Sequence, residues 1–205
     1  IHLGNQYDPA DPAWNPHFRT REDFEFRLVN FAPFNQNDGA WLHKVTPAGP
    51  LDEIQSLLFS IWMDEAGDGK VHQGHCNVYT DLLHSLGIYL PDPRSRAYAF
   101  DERFLDSAFY VPVLELAIAQ FSQEYLPELI GFTLELEWTV PGVFPIEKLA
   151  EYHGVDSHFF RLHIGIDNAA DGHGAKAKEA VKLYLDRVRQ DGGEEAMQRA
   201  WRRIW

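Results

Sequence analysis

Ten histidines are spread over the 205 residues, and several stand beside carboxylates at spacings that suit a shared cation. His163-Ile-Gly-Ile-Asp167 puts an imidazole and a carboxylate one helical turn apart. The two therefore share a helix face, which suits two ligands to one metal. His173 follows behind Asp171 and Gly172. On one regular helix His163 and His173 diverge by about 80°, so a bend is needed, and Gly172 weakens the helix where it would fall. Asp171 competes with His173 for the same role. The plainer reading of this stretch is a polar face whose terminal histidine caps carbonyls.

A second stretch runs from Trp62 to His75, with Glu65 closing one helix and His75 opening the next across a turn rich in glycine (Gly67, Gly69, Gly74). Glu65 follows Ile61 by four and Trp62 by three, so a carboxylate falls on an apolar stripe. Such a group must be paired or metal-bound, because burying it alone costs several kcal/mol. The alternative is a surface ion pair at the helix end. His72 and Asp68 read as exposed turn residues. A third stretch, Pro127 to Trp138, carries Glu135 and Glu137, which point roughly 200° apart around a helix. Ile130, Leu134 and Glu137 share a stripe, so Glu137 is expected inside and Glu135 outside. Imidazoles and carboxylates drawn from several facing helices are how helical bundles build di-iron sites.

The elements that must position these groups are helical. Leu51–Glu65 carries Ile54, Leu57, Leu58, Ile61 and Trp62 on one face. The same period marks His17–Phe31, ended by Pro33, and then Val71–Leu86, Phe104–Phe121, Pro127–Thr139, Asp156–Ala170, Gly174–Val188 and Glu194 onward. Pro141, Gly142 and Gly192 read as punctuation. Alternating strand patterns are nearly absent, so the expectation is an all-α domain of about seven or eight helices spanning residues 1–205, with residues 1–16 as an extended lead-in.

Composition narrows the partners. Lys+Arg number 18 against 31 Asp+Glu, a net charge of −13, which repels nucleic acid and anionic lipid. No apolar run approaches the roughly 20 residues needed to span a bilayer. The single cysteine, Cys76, excludes an internal disulfide and fits a reducing cytoplasm. The chain starts at Ile1 and stops at Trp205 inside an amphipathic stretch, which reads as a fragment of a longer protein. Trp201 and Trp205 are expected at an interface, in a homodimer or against the remainder of the chain.

Three runs together carry a resemblance: Asp64-Glu65-Ala-Gly67-Asp-Gly69 with His75-Cys-Asn-Val-Tyr79 and Leu83; Pro127-Glu-Leu-Ile-Gly131 ending in Glu137; and His163-Ile-Gly-Ile-Asp167-Asn168 with Gly172-His173. Their order and spacing resemble the iron-containing redox enzymes of the heme-oxygenase-like di-iron oxidase and oxygenase superfamily, over about residues 50–205. The resemblance implies a heme-oxygenase-like helical bundle without heme. It implies iron, as a pair of ions with the second position labile, held by Glu65, His75, Glu137, His163, Asp167 and His173. It also implies O2 as cosubstrate and oxidation of a small amino-acid-derived or fatty molecule by N-oxygenation, C–C cleavage or desaturation. Relatives usually add a carboxylate from an upstream helix, and Glu22, Glu25 and Glu53 are the matches here without a motif.

On this reading Asp64, Asn168 and Tyr79 are candidates to hold the imidazole tautomers, and Phe132, Trp138, Phe159 and Phe160 either line a substrate chamber or belong to the core. Three competing readings remain. A thiol nucleophile at Cys76 is disfavoured because His75 points about 100° away from it. Heme would meet unfavourable carboxylates. A non-catalytic helical metal-binding or interaction module predicts neither stoichiometric iron nor O2 use.

Overall fold

The computed structural model describes Asp8, Asp11 and residues 18–46, 49–138, 140–167 and 170–205, the side chains of 140 and 141 excepted. Apart from Asp8 and Asp11 the expected lead-in 1–16 lies outside these residues, as does Asn168. Among the described residues there are nine α-helices and no strand: α1 (Arg21–Asn35), α2 (Glu53–Glu65), α3 (His75–Ser85), α4 (Arg96–Ala99), α5 (Tyr110–Gln120), α6 (Leu126–Trp138), α7 (Val140–Tyr152), α8 (His158–Ile166) and α9 (His173–Ile204). The architecture is the expected all-α one.

Local chemistry starts the helices that matter. Thr20 and Asp23 form a reciprocal capping box before α1, and Asp52 and Gln55 form another before α2. Two capping boxes thus fix where the chain enters the two helices that lead into the site.

Several boundaries differ from the sequence-based expectation. Helix α1 passes through Pro33 to Asn35 rather than ending before it. Proline removes one backbone donor, but Ala32 and Pro33 are buried and the Gln36 amide still donates to the Ala32 carbonyl at 2.8 Å, so packing outweighs the lost bond. Helix α7 was hidden by Pro141, which falls in its first turn, where an amide has no intrahelical partner anyway. The short α4 was hidden between prolines. Helix α8 stops at Ile166, four residues before Ala170. The two expected C-terminal helices form one element with a kink at Gly193, whose φ of 75° suits glycine.

The helices bury two apolar clusters. One joins Phe24 and Leu28 of α1 to Tyr79 and Leu83 of α3, Leu149 of α7 and Phe159 and Phe160 of α8. The other joins Ile54, Leu58 and Ile61 of α2 to Leu129 and Ile130 of α6 and Ala177, Ala180 and Val181 of α9, with Trp41 beside them. The Trp41 indole N–H donates to the Thr133 hydroxyl at 3.1 Å, tying the segment after α1 to α6. The C-terminus of α9 lies on α6, where Gly131 leaves room for the Ile204 backbone and Arg203 holds Glu128 at 2.6 Å. No helix among the described residues is long and apolar enough to cross a membrane.

Candidate metal centre

The polar side chains of interest sit at the seam between the two clusters. Glu65 ends α2, Glu137 is in the last turn of α6, and His173 opens α9; His75 opens α3, and His163 lies in the last turn of α8 with Asp167 just after it. Helix ends put functional groups where backbone direction changes, so several elements can aim at one point. Asp38 arrives from the turn after α1.

Two groups of four result. Asp38, Glu65, His75 and His163 form one, and Glu65, Glu137, Asp167 and His173 form the other; within each group one donor atom per residue lies within 4.8 Å of all the others. Glu65 belongs to both. The six residues implied by the resemblance therefore come together, with Asp38 as a seventh. His163 and Asp167, expected together on one face, stand four residues apart yet fall in different groups. The break between α8 and α9 supplies the bend that His173 needs.

Burial separates the open alternatives. Glu137 is buried and Glu135 exposed; His173 is buried and Asp171 exposed. None of the three upstream matches reaches the site. Glu22 and Glu53 are exposed, and Glu25 pairs with Arg21 at 2.8 Å. Asp38 is the upstream carboxylate that stands beside the six residues. Its setting, Asn37-Asp38-Gly39 in a turn, offered only a loop signal. His72 and Asp68 are exposed as expected.

The imidazole and carboxylate groups crowd one another closely. His173 Nδ1 has carboxylate oxygens of Glu137 at 3.1 Å and of Glu65 and Asp167 at 3.2 Å. One N–H cannot serve three carboxylates. On the other side of the ring, Nε2 donates to Asp64 Oδ2 at 2.9 Å, and Lys176 holds the same oxygen at 3.2 Å. An ionised carboxylate accepts only, so Asp64 keeps the proton on Nε2 and leaves Nδ1 for the cluster. His163 is oriented the same way: Nδ1 donates to the Phe159 carbonyl at 2.8 Å, leaving Nε2 toward Asp38 at 3.2 Å. His75 Nδ1 and Glu65 Oε2 stand 2.5 Å apart, with Asp38 Oδ2 3.5 Å from the same nitrogen.

Electrostatics agree. Burial alone would lower the imidazole pKa values, but the surrounding carboxylates outweigh it and push His75 up to about 10, His163 to about 9 and His173 to about 12. Burial, with Glu65 and Asp167 beside it, lifts Glu137 to about 8. Protons thus occupy positions that a cation would compete for. The mix of imidazole and carboxylate donors, buried and oriented from behind, fits iron.

A cavity of about 300 Å³ opens onto these groups. Asp38, Glu65, Glu137, His163 and Asp167 line it together with Phe159 and Phe160, the two aromatics that reach it of the four considered. Phe132 packs edge-on against Trp41 at 5.8 Å, and Trp138 lies in a separate groove beside Trp201. Tyr79 is structural: its hydroxyl donates to the Leu28 carbonyl at 2.6 Å rather than to an imidazole. Burial, with Asp38 nearby, raises the Cys76 thiol to about 12, so a thiolate nucleophile is disfavoured.

Gly39 sets a close approach in this site. Its φ is 77°, and a Cβ there would lie 2.6 Å from Glu65 Cβ. Gly39→Ala is expected to displace Glu65 and weaken iron binding at least tenfold; an Fe(II) titration matching that of the parent chain would refute this.

A helical bundle with buried imidazoles and carboxylates brought together from its helix ends suits an iron-binding protein of the heme-oxygenase-like kind. Residues 26–205 match the iron-containing redox enzymes, and the chain belongs to that family of oxidoreductases. No curated protein matches the chain.

Proposed function

We propose that this protein holds two iron ions and uses dioxygen to oxidise a small molecule. The observation that carries the reading is the pair of four-residue groups with Glu65 common to both. Asp38, His75 and His163 would hold one ion, Glu137, Asp167 and His173 the other, and Glu65 would touch both. Ferrous iron, when bound, supplies the electrons that dioxygen needs before it can attack an unactivated bond. The chain's own work is positional. Asp64 and the Phe159 carbonyl fix which ring nitrogens face the centre. Phe159 and Phe160 keep one wall of the cavity apolar, which limits water near the reacting atoms.

Anaerobic titration of the metal-free chain with Fe(II), followed by oxygen-uptake measurements, tests this. Two equivalents per chain and iron-dependent O2 consumption are expected. One equivalent or none would overturn the two-ion reading, and two equivalents without O2 consumption would overturn the oxidase reading.

A further inference from the structure

The candidate metal centre borders two different kinds of space. The cavity already described has Leu28, Phe31 and Phe34 in its wall, and Arg27 lines it too. A hydrated dication is poorly served on that side, because an apolar wall offers nothing to replace its water and a guanidinium repels it. A second cavity, of about 480 Å³, borders another face of α8: His158, Leu162 and Ile166, spaced by four, line it, whereas Phe159, Phe160 and His163 line the first. Asp64, Asp68, His72 and His75 belong to the polar part of its lining. A hollow of about 250 Å³ adjoins it, sharing His72, Val78 and His158 and adding Asp81 and Asp156. Among the described residues lining these two spaces there is no Lys or Arg.

The lining is graded from water inward. Asp68, His72, Asp81, Asp156 and His158 are exposed, Asp64 is partly buried, and His75 is 1% exposed. The two innermost residues touch the centre. Asp64, which also holds Lys176, accepts from His173 Nε2 at 2.9 Å. His75 belongs to the candidate set itself, with Nδ1 toward Glu65 while its ring borders the outer cavity. Imidazole and carboxylate both bind ferrous iron. The outer residues nevertheless do not make a third site: among the described residues, the only groups of three or more such donors close enough to hold one ion are the two at the centre. Donors spaced too widely to trap an ion still replace its water one step at a time, and a negative lining raises the local concentration of cations.

We propose that ferrous iron enters the centre through this passage, captured at the surface by His72 and His158 with Asp68 and Asp81 and then handed inward to His75. This rests on the reading of the centre as an iron site and is independent of dioxygen. Each step exchanges water on the ion for an imidazole or a carboxylate, and the iron stays ferrous throughout. The apolar cavity on the other face of α8 is thereby left for the molecule to be oxidised.

Rates set against equilibrium test this. The metal-free full chain is mixed anaerobically with Fe(II), and a coloured Fe(II) chelator added at intervals captures the iron not yet bound, which gives the uptake rate. The same chelator added to the loaded chain gives the release rate, and a titration gives stoichiometry and affinity. The parent is compared with two double variants, His72→Ala/His158→Ala and Asp68→Asn/Asp81→Asn. Each is expected to slow uptake about tenfold and release by the same factor, with the equivalents bound and the affinity unchanged. A residue on the path but outside the bound state alters the barrier and leaves both end states alone. Added salt is expected to slow uptake by the parent more than uptake by the Asp68→Asn/Asp81→Asn chain. Uptake at the parent rate in either variant would overturn the passage. Weakened affinity in either would overturn it as well, because those residues would then act on the bound ion or on the fold. A parent chain that binds no iron overturns the metal centre itself, and its titration alone tells that failure apart.

Discussion

A Glu65→Ala chain is expected to bind no iron tightly, while His163→Ala and His173→Ala each retain about one equivalent. Glu65 is the residue common to both candidate groups, whereas His163 and His173 each belong to one. Removing a partner that only orients a ligand typically costs 10–100-fold in metal affinity, and removing a ligand shared by two ions costs more, at both. Glu65→Gln gives the same outcome while keeping shape, which separates lost ligation from lost packing. Anaerobic stoichiometry by chelator competition, with helicity checked by circular dichroism, reads the result. A folded Glu65 variant that still takes up one equivalent would mean the two groups do not share this carboxylate.

Glu115→Gln is expected to make the metal-free protein more stable at pH 8 and to leave it nearly unchanged at pH 5. Glu115 lies on α5, fully buried, and neither of its carboxyl oxygens has a hydrogen-bond partner among the described residues. Burial, with the charge of Asp38 nearby, pushes its pKa up to about 9. The folded chain therefore keeps a proton that the unfolded chain releases from about pH 4.5 upward. A raised carboxyl pKa costs nothing below the unfolded value, and the penalty grows by about 1.4 kcal/mol per pH unit until the folded value is reached. At pH 7 that amounts to roughly 3 kcal/mol. The amide of glutamine is also unsatisfied there, but its cost does not change with pH. Urea unfolding of both chains from pH 5 to 8 isolates the slope, and parallel stability profiles would show that Glu115 does not carry this proton.

Legibility of the site followed the helical period. Within one element, spacing decides which residues share a face, so Glu65 on the stripe of Ile61 and Trp62, and Glu137 rather than Glu135, were readable from sequence. Both side chains are buried. Helix existence was also readable wherever apolar residues recur. Where proline masks the pattern it was not, because the cost of Pro33 is offset by tertiary burial and that of Pro141 by its position in a first turn.

Between elements the period carries no information. His163 and Asp167 stand four residues apart and yet fall in different groups, because α8 ends at Ile166 and His173 opens α9. Asp38 had no amphipathic stripe to mark it. Its placement goes with the positive φ of Gly39, the Trp41 contact to Thr133, and the close approach of Glu65 to Gly39. Sequence alone determined the all-α architecture and the kinds of donor available for iron. Tertiary structure decided how those side chains divide into two groups and that Asp38, rather than Glu22, Glu25 or Glu53, stands beside them. Long-range packing of helix ends sets these relations, and helical periodicity describes only the residues within a helix.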